Sequence, residues 1–250
     1  MTESSVVAIV PARYQSTRLP GKALADIAGR PMIEHVYRRA AEARTVAGVI
    51  VATDDERIAR AVEAFGGTAL MTRSDHATGT DRLAEIAAML SCRIVVNVQG
   101  DEPLLAPAVI DAVVQPLLDD EGLEMATACR PLGSAEEYAS PAVVKVVRDL
   151  SGRALYFSRA PIPHARDSGA SFPAMARAHL GLYAYRRDVL ARLAGLPAVE
   201  LERTESLEQL RALAHGIGIH VVETRHRSIG VDTPEDLAHV RRLLLTESKS

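Results

Sequence analysis

Four short β-branched runs, each followed by a helical pattern, restrict this chain to one kind of architecture. Residues 6–10 precede 31–43, 49–53 precede 56–65, 68–71 precede 80–90, and 94–98 precede 107–118. Strand, helix and strand in succession make a βαβ unit, whose strands run parallel. Ile94-Val95-Val96-Asn97-Val98 is apolar nearly throughout rather than alternating, as expected of strands covered by helices on both faces. The first half is therefore an α/β, doubly wound, mostly parallel sheet. In helix 31–43, Pro31 suits the first helical position and Met32, Ile33, Val36, Tyr37, Ala40 and Ala41 form one apolar stripe, leaving Arg38, Arg39, Glu42 and Arg44 to water.

After about Leu123 the rhythm changes. Strand-like runs at 125–129, 143–148, 154–158 and 179–185 have few helices between them, which predicts a mixed or antiparallel extension. Residues 159–177 hold three prolines and Gly169 and are read as a functional loop. Helices at 187–193 and about 201–214, a strand at 219–222 and a closing helix that starts near Asp232 complete the chain, with a frayed polar tail at 246–250.

Composition sets the limits. The chain has 250 residues, formal net charge −3, 4% aromatic residues and no Trp, a poor surface for nucleic acid. No run approaches the roughly 20 apolar residues of a membrane span and no signal peptide is visible, so membrane insertion is excluded and a cytoplasmic protein expected. Cys92 and Cys129 lack metal-knuckle spacing and are read as reduced, buried thiols.

In open α/β sheets ligands bind beyond the carboxyl ends of the strands, so the residues after each strand are the candidates. After the first run comes Pro11-Ala12-Arg13-Tyr14-Gln15-Ser16-Thr17-Arg18-Leu19-Pro20-Gly21-Lys22, with Arg13, Arg18 and Lys22 as three cations for a polyanion such as a triphosphate. The spacing matches neither the P-loop nor the dinucleotide fingerprint. In Asn97-Val98-Gln99-Gly100-Asp101-Glu102-Pro103 a buried strand runs into a carboxylate; Asp101 is either a turn residue or a ligand for Mg²⁺, which prefers one or two carboxylates plus phosphate oxygens. The stretch 71–82 turns from loop to helix, with Thr80 and Asp81 as its expected start and Thr78, Gly79 and Arg82 as candidate nucleotide contacts. Asp232, far away in sequence, is either the cap of the closing helix or a second carboxylate for the metal.

Together, Pro-Ala-Arg-x-x-Ser-Thr-Arg-Leu-Pro-Gly-Lys at 11–22, Asp-His-x-Thr-Gly-Thr-Asp-Arg at 75–82 and Asn-Val-Gln-Gly-Asp-Glu-Pro at 97–103 resemble the 3-deoxy-manno-octulosonate (Kdo) cytidylyltransferase family, also called CMP-Kdo synthetases. The likeness continues through Val144-Lys145-Val146-Val147, the stretch 154–159, His179-Leu180-Gly181-Leu182-Tyr183, Leu207-Glu208-Gln209-Leu210-Arg211 and 231–236. The opening motif is shared with other sugar nucleotidyltransferases, including those for sialic acid; the later blocks select Kdo.

The resemblance implies a Rossmann-like nucleotidyltransferase fold, one domain over 1–245: a nucleotide-binding half to about 122, a sugar-binding and dimerisation extension at about 123–218, and a returning strand and helix at 219–245. It implies catalysis by Arg13, Lys22 and Asp101, a CTP site of Pro11, Ala12, Arg13, Arg18, Lys22, Thr78, Gly79, Arg82 and Gln99, and Mg²⁺ on Asp101 and Asp232. Kdo falls to Arg159, His179, Tyr183, Glu208 and Gln209, which suits a polyhydroxy acid. Glu205, one turn from Glu208, is left as a solvated residue. The implied activity is CTP plus Kdo giving CMP-Kdo and diphosphate for bacterial lipopolysaccharide, by a homodimer. The alternatives are another acidic sugar such as sialic acid, or a non-catalytic nucleotide sensor. Thr78 stands where the family more often has Ser, and the loop 160–176 departs from its pattern.

Overall fold

Strand β1 (Val6–Ala12) is buried from Val6 to Val10 because it has a parallel neighbour on each side, β4 (Gly48–Thr53) and β6 (Ile94–Asn97). A third parallel strand, β5 (Ala69–Met71), adds to β4, giving the order β6-β1-β4-β5. The crossovers are α1 (Met32–Ala41), α2 (Glu56–Ala64) and α3 (Gly79–Ala88), and α4 (Pro107–Asp119) follows β6. Strands β2 (Asp26–Ile27) and β3 (Arg30–Pro31) form a small hairpin before α1 that the sequence pattern does not announce. In α1 the stripe Met32, Ile33, Val36 and Ala40 is fully buried, while Ala41 is exposed and Pro31 caps the helix rather than opening it.

The computed structural model describes residues 5–16, 18–76, 78–166 and 173–247. Its contacts divide the chain into two units: residues up to Asp111 with those from Arg227 onward, and Ala112–His226. The closing helix α9 (Pro234–Glu247) belongs to the first, where Val231, Leu237 and Val240 pack against Ile27 and Met32. The helix continues to Glu247, two residues into the stretch read as a frayed tail; residues 248–250 lie outside the described residues.

The second unit is mixed. Its β7 (Met125–Pro131) runs parallel to β11 (Ile219–Glu223) and antiparallel to β10 (Arg177–Arg186), and β10 also pairs antiparallel with β8 (Lys145–Arg148), which forms a hairpin with β9 (Ala154–Ser158). Helices α5 (Ala135–Ala139) and α6 (Arg187–Gly195) flank β7 and β10 in the chain. The one helix expected over 201–214 is two, α7 (Glu200–Glu205) and α8 (Gln209–Ala214), because Ser206 turns left-handed at φ 51°. That reversal folds α8 back, so that the guanidinium Nε of Arg211 reaches the Glu202 carboxylate at 2.8 Å, a buried pair that an unbroken helix would hold apart. Of the loop 160–176, residues 167–172 lie outside the described residues; before them the Tyr138 hydroxyl donates to the Pro163 carbonyl at 2.7 Å. Among the described residues no helix is long and apolar enough to cross a membrane. Both cysteines are buried thiols outside any disulfide.

Candidate active site

The exits of β1 and β6 lie back to back, and a glycine makes that possible. A Cβ at Gly100 would stand 2.8 Å from the Pro11 carbonyl oxygen, closer than side chains tolerate, so only glycine lets the two strand ends meet. The loop leaving β1 is closed by the Gly21 N–H donating to the Tyr14 carbonyl at 3.0 Å. Gly21 is itself left-handed, φ 69°, and starts the short 3₁₀ turn Lys22–Leu24. That turn delivers Lys22 to Asp101, the residue after Gly100.

The Lys22 ammonium donates to Asp101 Oδ2 at 2.7 Å and to Asp232 Oδ1 at 3.1 Å, and Arg18 pairs with the other oxygen of Asp232 at 3.0 Å. Burial pulls the Lys22 pKa down, but the ion pairs and hydrogen bonds to Asp101 and Asp232 outweigh it and leave it raised. Asp232 arrives because the buried Val231 donates its N–H to the Asp101 carbonyl at 2.8 Å. The two readings of Asp232 are thereby separated. Asp236 accepts the N–H groups of Asp232 and Thr233 at 3.0 and 2.9 Å and so closes the helix start, leaving the Asp232 carboxylate to the cations.

Asp101 and Asp232 thus share one cation, an arrangement that suits a hard divalent ion completed by phosphate oxygens and water. Among the described residues no group of three or more His, Cys, Asp or Glu could hold a metal.

Beside them lies a cavity of about 220 Å³ lined by Pro11, Ala12, Arg13, Lys22, Gln99 and Asp101. A second of about 670 Å³ also uses Arg13 and adds Tyr14, Asp54, Asp55 and Ser74. Tyr14 is covered by the Arg57 guanidinium at 3.3 Å from its ring centre, and Arg57 is held by Asp55. Asp54 and Asp55 directly follow β4, so the strand-end rule points to them, although they stand outside the four candidate stretches.

Arg13 spans to the α3 loop, donating to the His76 carbonyl at 2.8 Å and to the Thr78 carbonyl at 3.4 Å. The helix starts at Gly79, not Thr80: Thr78 Oγ1 accepts the Asp81 N–H at 3.1 Å while the Asp81 carboxylate accepts the Thr78 N–H at 3.0 Å, a capping box. Arg82 differs from expectation. It is fully buried, bound to Thr72 Oγ1 and to Asp54 Oδ2 at 2.8 Å, so it meets no ligand surface here and instead fixes Asp54 at the rim of the larger cavity. Thr17 and Ala77 lie outside the described residues.

The five sugar candidates are all in the second unit. A register shift in β10 between Leu180 and Tyr183 opens the strand. Thr127 Oγ1 fills the opening, donating to the Leu182 carbonyl at 2.8 Å and meeting His179 Nε2 at 2.9 Å. The His179 ring packs against Phe157 and Tyr183, with centroids 5.0 and 5.3 Å away. Burial pushes the His179 pKa down to about 3 and lifts that of Tyr183, which Tyr185 and Glu208 raise further. Gln209 is buried at the first position of α8, directly after Glu208. Arg159 directs its guanidinium at backbone carbonyls: Nε donates to that of Glu205 at 2.8 Å and Nη1 to that of Pro141 at 3.1 Å.

A neutral His179 has a measurable consequence. In the unfolded chain it takes up a proton near pH 6.5, in the fold only near 3, so the unfolded state binds more protons between those values and stability falls as the pH drops through that window. At pH 5 the penalty is at most about 2 kcal/mol, which residual solvent contact reduces to about 1 kcal/mol. His179→Phe is expected to lose about 3 °C less in Tm than the unsubstituted chain between pH 7.5 and pH 5 in paired thermal melts. Identical losses would show that the histidine titrates normally.

The cytidylyltransferase family model matches residues 7–223. Two curated relatives are the 3-deoxy-manno-octulosonate cytidylyltransferases of Geobacter sulfurreducens, 55% identical over 244 residues, 94% of this chain and 98% of that protein, and of Pelobacter propionicus, 55% identical over 245 residues, 95% and 96% of the two chains. A solved structure of CMP:2-keto-3-deoxy-manno-octonic acid synthetase complexed with CTP superposes with a TM-score of 0.92 at 48% identity, covering 98% of this chain and 100% of that one.

Proposed function

This chain belongs to the 3-deoxy-manno-octulosonate cytidylyltransferase family, and we propose that it joins CTP to Kdo, releasing diphosphate and forming CMP-Kdo. One observation carries the catalytic reading: a single ammonium, Lys22, is held between Asp101 at 2.7 Å and Asp232 at 3.1 Å, beside a cavity also lined by Arg13. Cations next to paired carboxylates are the electrostatics that a metal-bound triphosphate needs. Arg13, Arg18 and Lys22 bind the phosphates, and Gln99 and the Pro11-Ala12 backbone contact the nucleotide. Thr78, Gly79 and Arg82 act on it by shaping the α3 loop that Arg13 grips and the Asp54 rim.

The anomeric oxygen of the sugar forms the new bond to the α-phosphorus as the bond to the β-phosphate bridging oxygen breaks. Diphosphate leaves with the electron pair, and the hydroxyl proton passes to solvent. The chain positions and neutralises; no covalent intermediate on the enzyme is required. Asp101 and Asp232 are the residues that would hold Mg²⁺, which would supply positive charge to the triphosphate and could lower the pKa of the attacking hydroxyl. In the second unit Arg159 takes the sugar's carboxylate, while Tyr183, Glu208, Gln209 and a neutral His179 take hydroxyls.

Diphosphate release measured with CTP and Mg²⁺ against Kdo, sialic acid and a hexose 1-phosphate tests the assignment. Release with Kdo and at least about a hundredfold less with the others is expected, because a polar pocket left unpaired by the wrong acceptor discriminates strongly. Equal release with sialic acid would overturn the sugar assignment. We read the protein further as a cytoplasmic homodimer serving lipopolysaccharide synthesis. CTP is a cytoplasmic substrate, and the exposed Leu150 and Leu155 of the β8–β9 hairpin offer apolar surface to a second copy. A solution mass equal to one chain would count against the dimer.

A further inference from the structure

A lysine that the catalytic reading does not use lies inside the second unit. Lys145, the first residue of β8, is fully buried, and its ammonium donates to three main-chain carbonyls: Ser140 at 2.8 Å, Val143 at 2.6 Å and Arg159 at 2.6 Å. An ammonium has three protons, so its donor capacity is used in full. Burying it is expensive, and apolar side chains of that length fill such space at less cost. Burial and the neighbouring Arg159 charge hold its pKa below the usual lysine value, and Glu205 partly offsets them.

The three carbonyls belong to the two segments that hold Arg159. The Arg159 guanidinium binds the Pro141 carbonyl, between Ser140 and Val143, and its own carbonyl binds Lys145. Glu205 completes the group: its carboxylate accepts from Ser158 Oγ at 2.6 Å and from the Arg159 N–H at 2.9 Å, and its carbonyl accepts from Arg159 Nε at 2.8 Å. Two cations and one anion leave the cluster with an excess positive charge. Arg159 Nη1 donates to the Pro141 carbonyl at 3.1 Å and Nη2 to that of Ser206 at 3.4 Å, and each carries a second N–H, the donor type that a carboxylate takes in a two-toothed grip.

We propose that Lys145 is a positioning residue for the acidic substrate: chelated by the carbonyls of Ser140, Val143 and Arg159, it fixes the Arg159 main chain and gives the Lys145–Arg159–Glu205 group the surplus charge that draws a sugar carboxylate onto Arg159. This rests on the sugar role proposed for Arg159. Glu205, taken from sequence as a solvated residue, is the counter-ion that keeps the two cations together.

The test is a double-mutant cycle in full-length protein, with KM for Kdo and for CTP measured for Lys145→Met, Arg159→Ala and the pair. Lys145→Met is expected to raise the KM for Kdo about tenfold and to leave that for CTP unchanged, with no further rise when added to Arg159→Ala. If Lys145→Met melts below the assay temperature, Lys145→Gln keeps amide donors for the carbonyls without the charge, and the same split is expected of it. KM values for Kdo and CTP rising together, or a tenfold rise that persists in the Arg159→Ala background, would overturn the positioning role. A different failure, Arg159→Ala leaving the KM for Kdo unchanged, would instead strike the sugar site itself.

Discussion

Asp101→Asn is expected to lower kcat by about a thousandfold or more while the protein still folds, the scale of loss when a charged group is removed from a site whose catalysis is electrostatic. The substitution keeps the shape and one oxygen but removes the negative charge that meets Lys22 at 2.7 Å. In the proposed mechanism that charge is half of what the chain offers a metal, so excess Mg²⁺ should recover only part of the rate. Stability should move little. The pair is partly open to water, with Asp101 31% and Lys22 17% exposed, and such pairs contribute about 1 kcal/mol or less. Diphosphate release over a Mg²⁺ series, beside a thermal melt, checks both halves. Turnover within tenfold of the unsubstituted chain would remove Asp101 from the reaction.

The sequence exposes most of this site because strand exits are legible. A short, β-branched and nearly all-apolar run such as 94–98 reads as a buried strand, and the residues just beyond its end stand at the sheet's carboxyl edge; Arg13, Lys22, Gln99 and Asp101 all emerge from that rule. Asp232 does not, since its arrival depends on Val231 joining a core with Ile27 and Met32 and donating to the Asp101 carbonyl, contacts that span well over a hundred residues. Arg82 shows the opposite limit. Its place in a motif marks it for ligand contact, but both terminal nitrogens of the guanidinium are held inside the unit by Thr72 and Asp54, and local sequence carries no sign of those partners. Likewise Glu205 looks solvated on a helix, whereas as the last residue of α7 it accepts from Ser158 and Arg159, partners 47 and 46 residues away in the chain.

Lys22→Met is expected to cost turnover as much as Asp101→Asn, about a thousandfold, but with a contrasting response to metal. The Lys22 ammonium occupies the space between Asp101 and Asp232, where the proposed mechanism puts the divalent ion. Without it those carboxylates retain Arg18, which is largely exposed, and repel one another, so the metal-free variant should be less stable by about 1 kcal/mol. A cation that binds the folded state and not the unfolded one raises stability by mass action, and its affinity is higher where no ammonium must first be displaced. The rise in Tm on adding Mg²⁺ should therefore be larger for Lys22→Met than for the unsubstituted chain, and largely absent from Asp101→Asn. Identical rises in all three would place the metal elsewhere, leaving Lys22 and the two aspartates as an ion-pair network without a cofactor to hold.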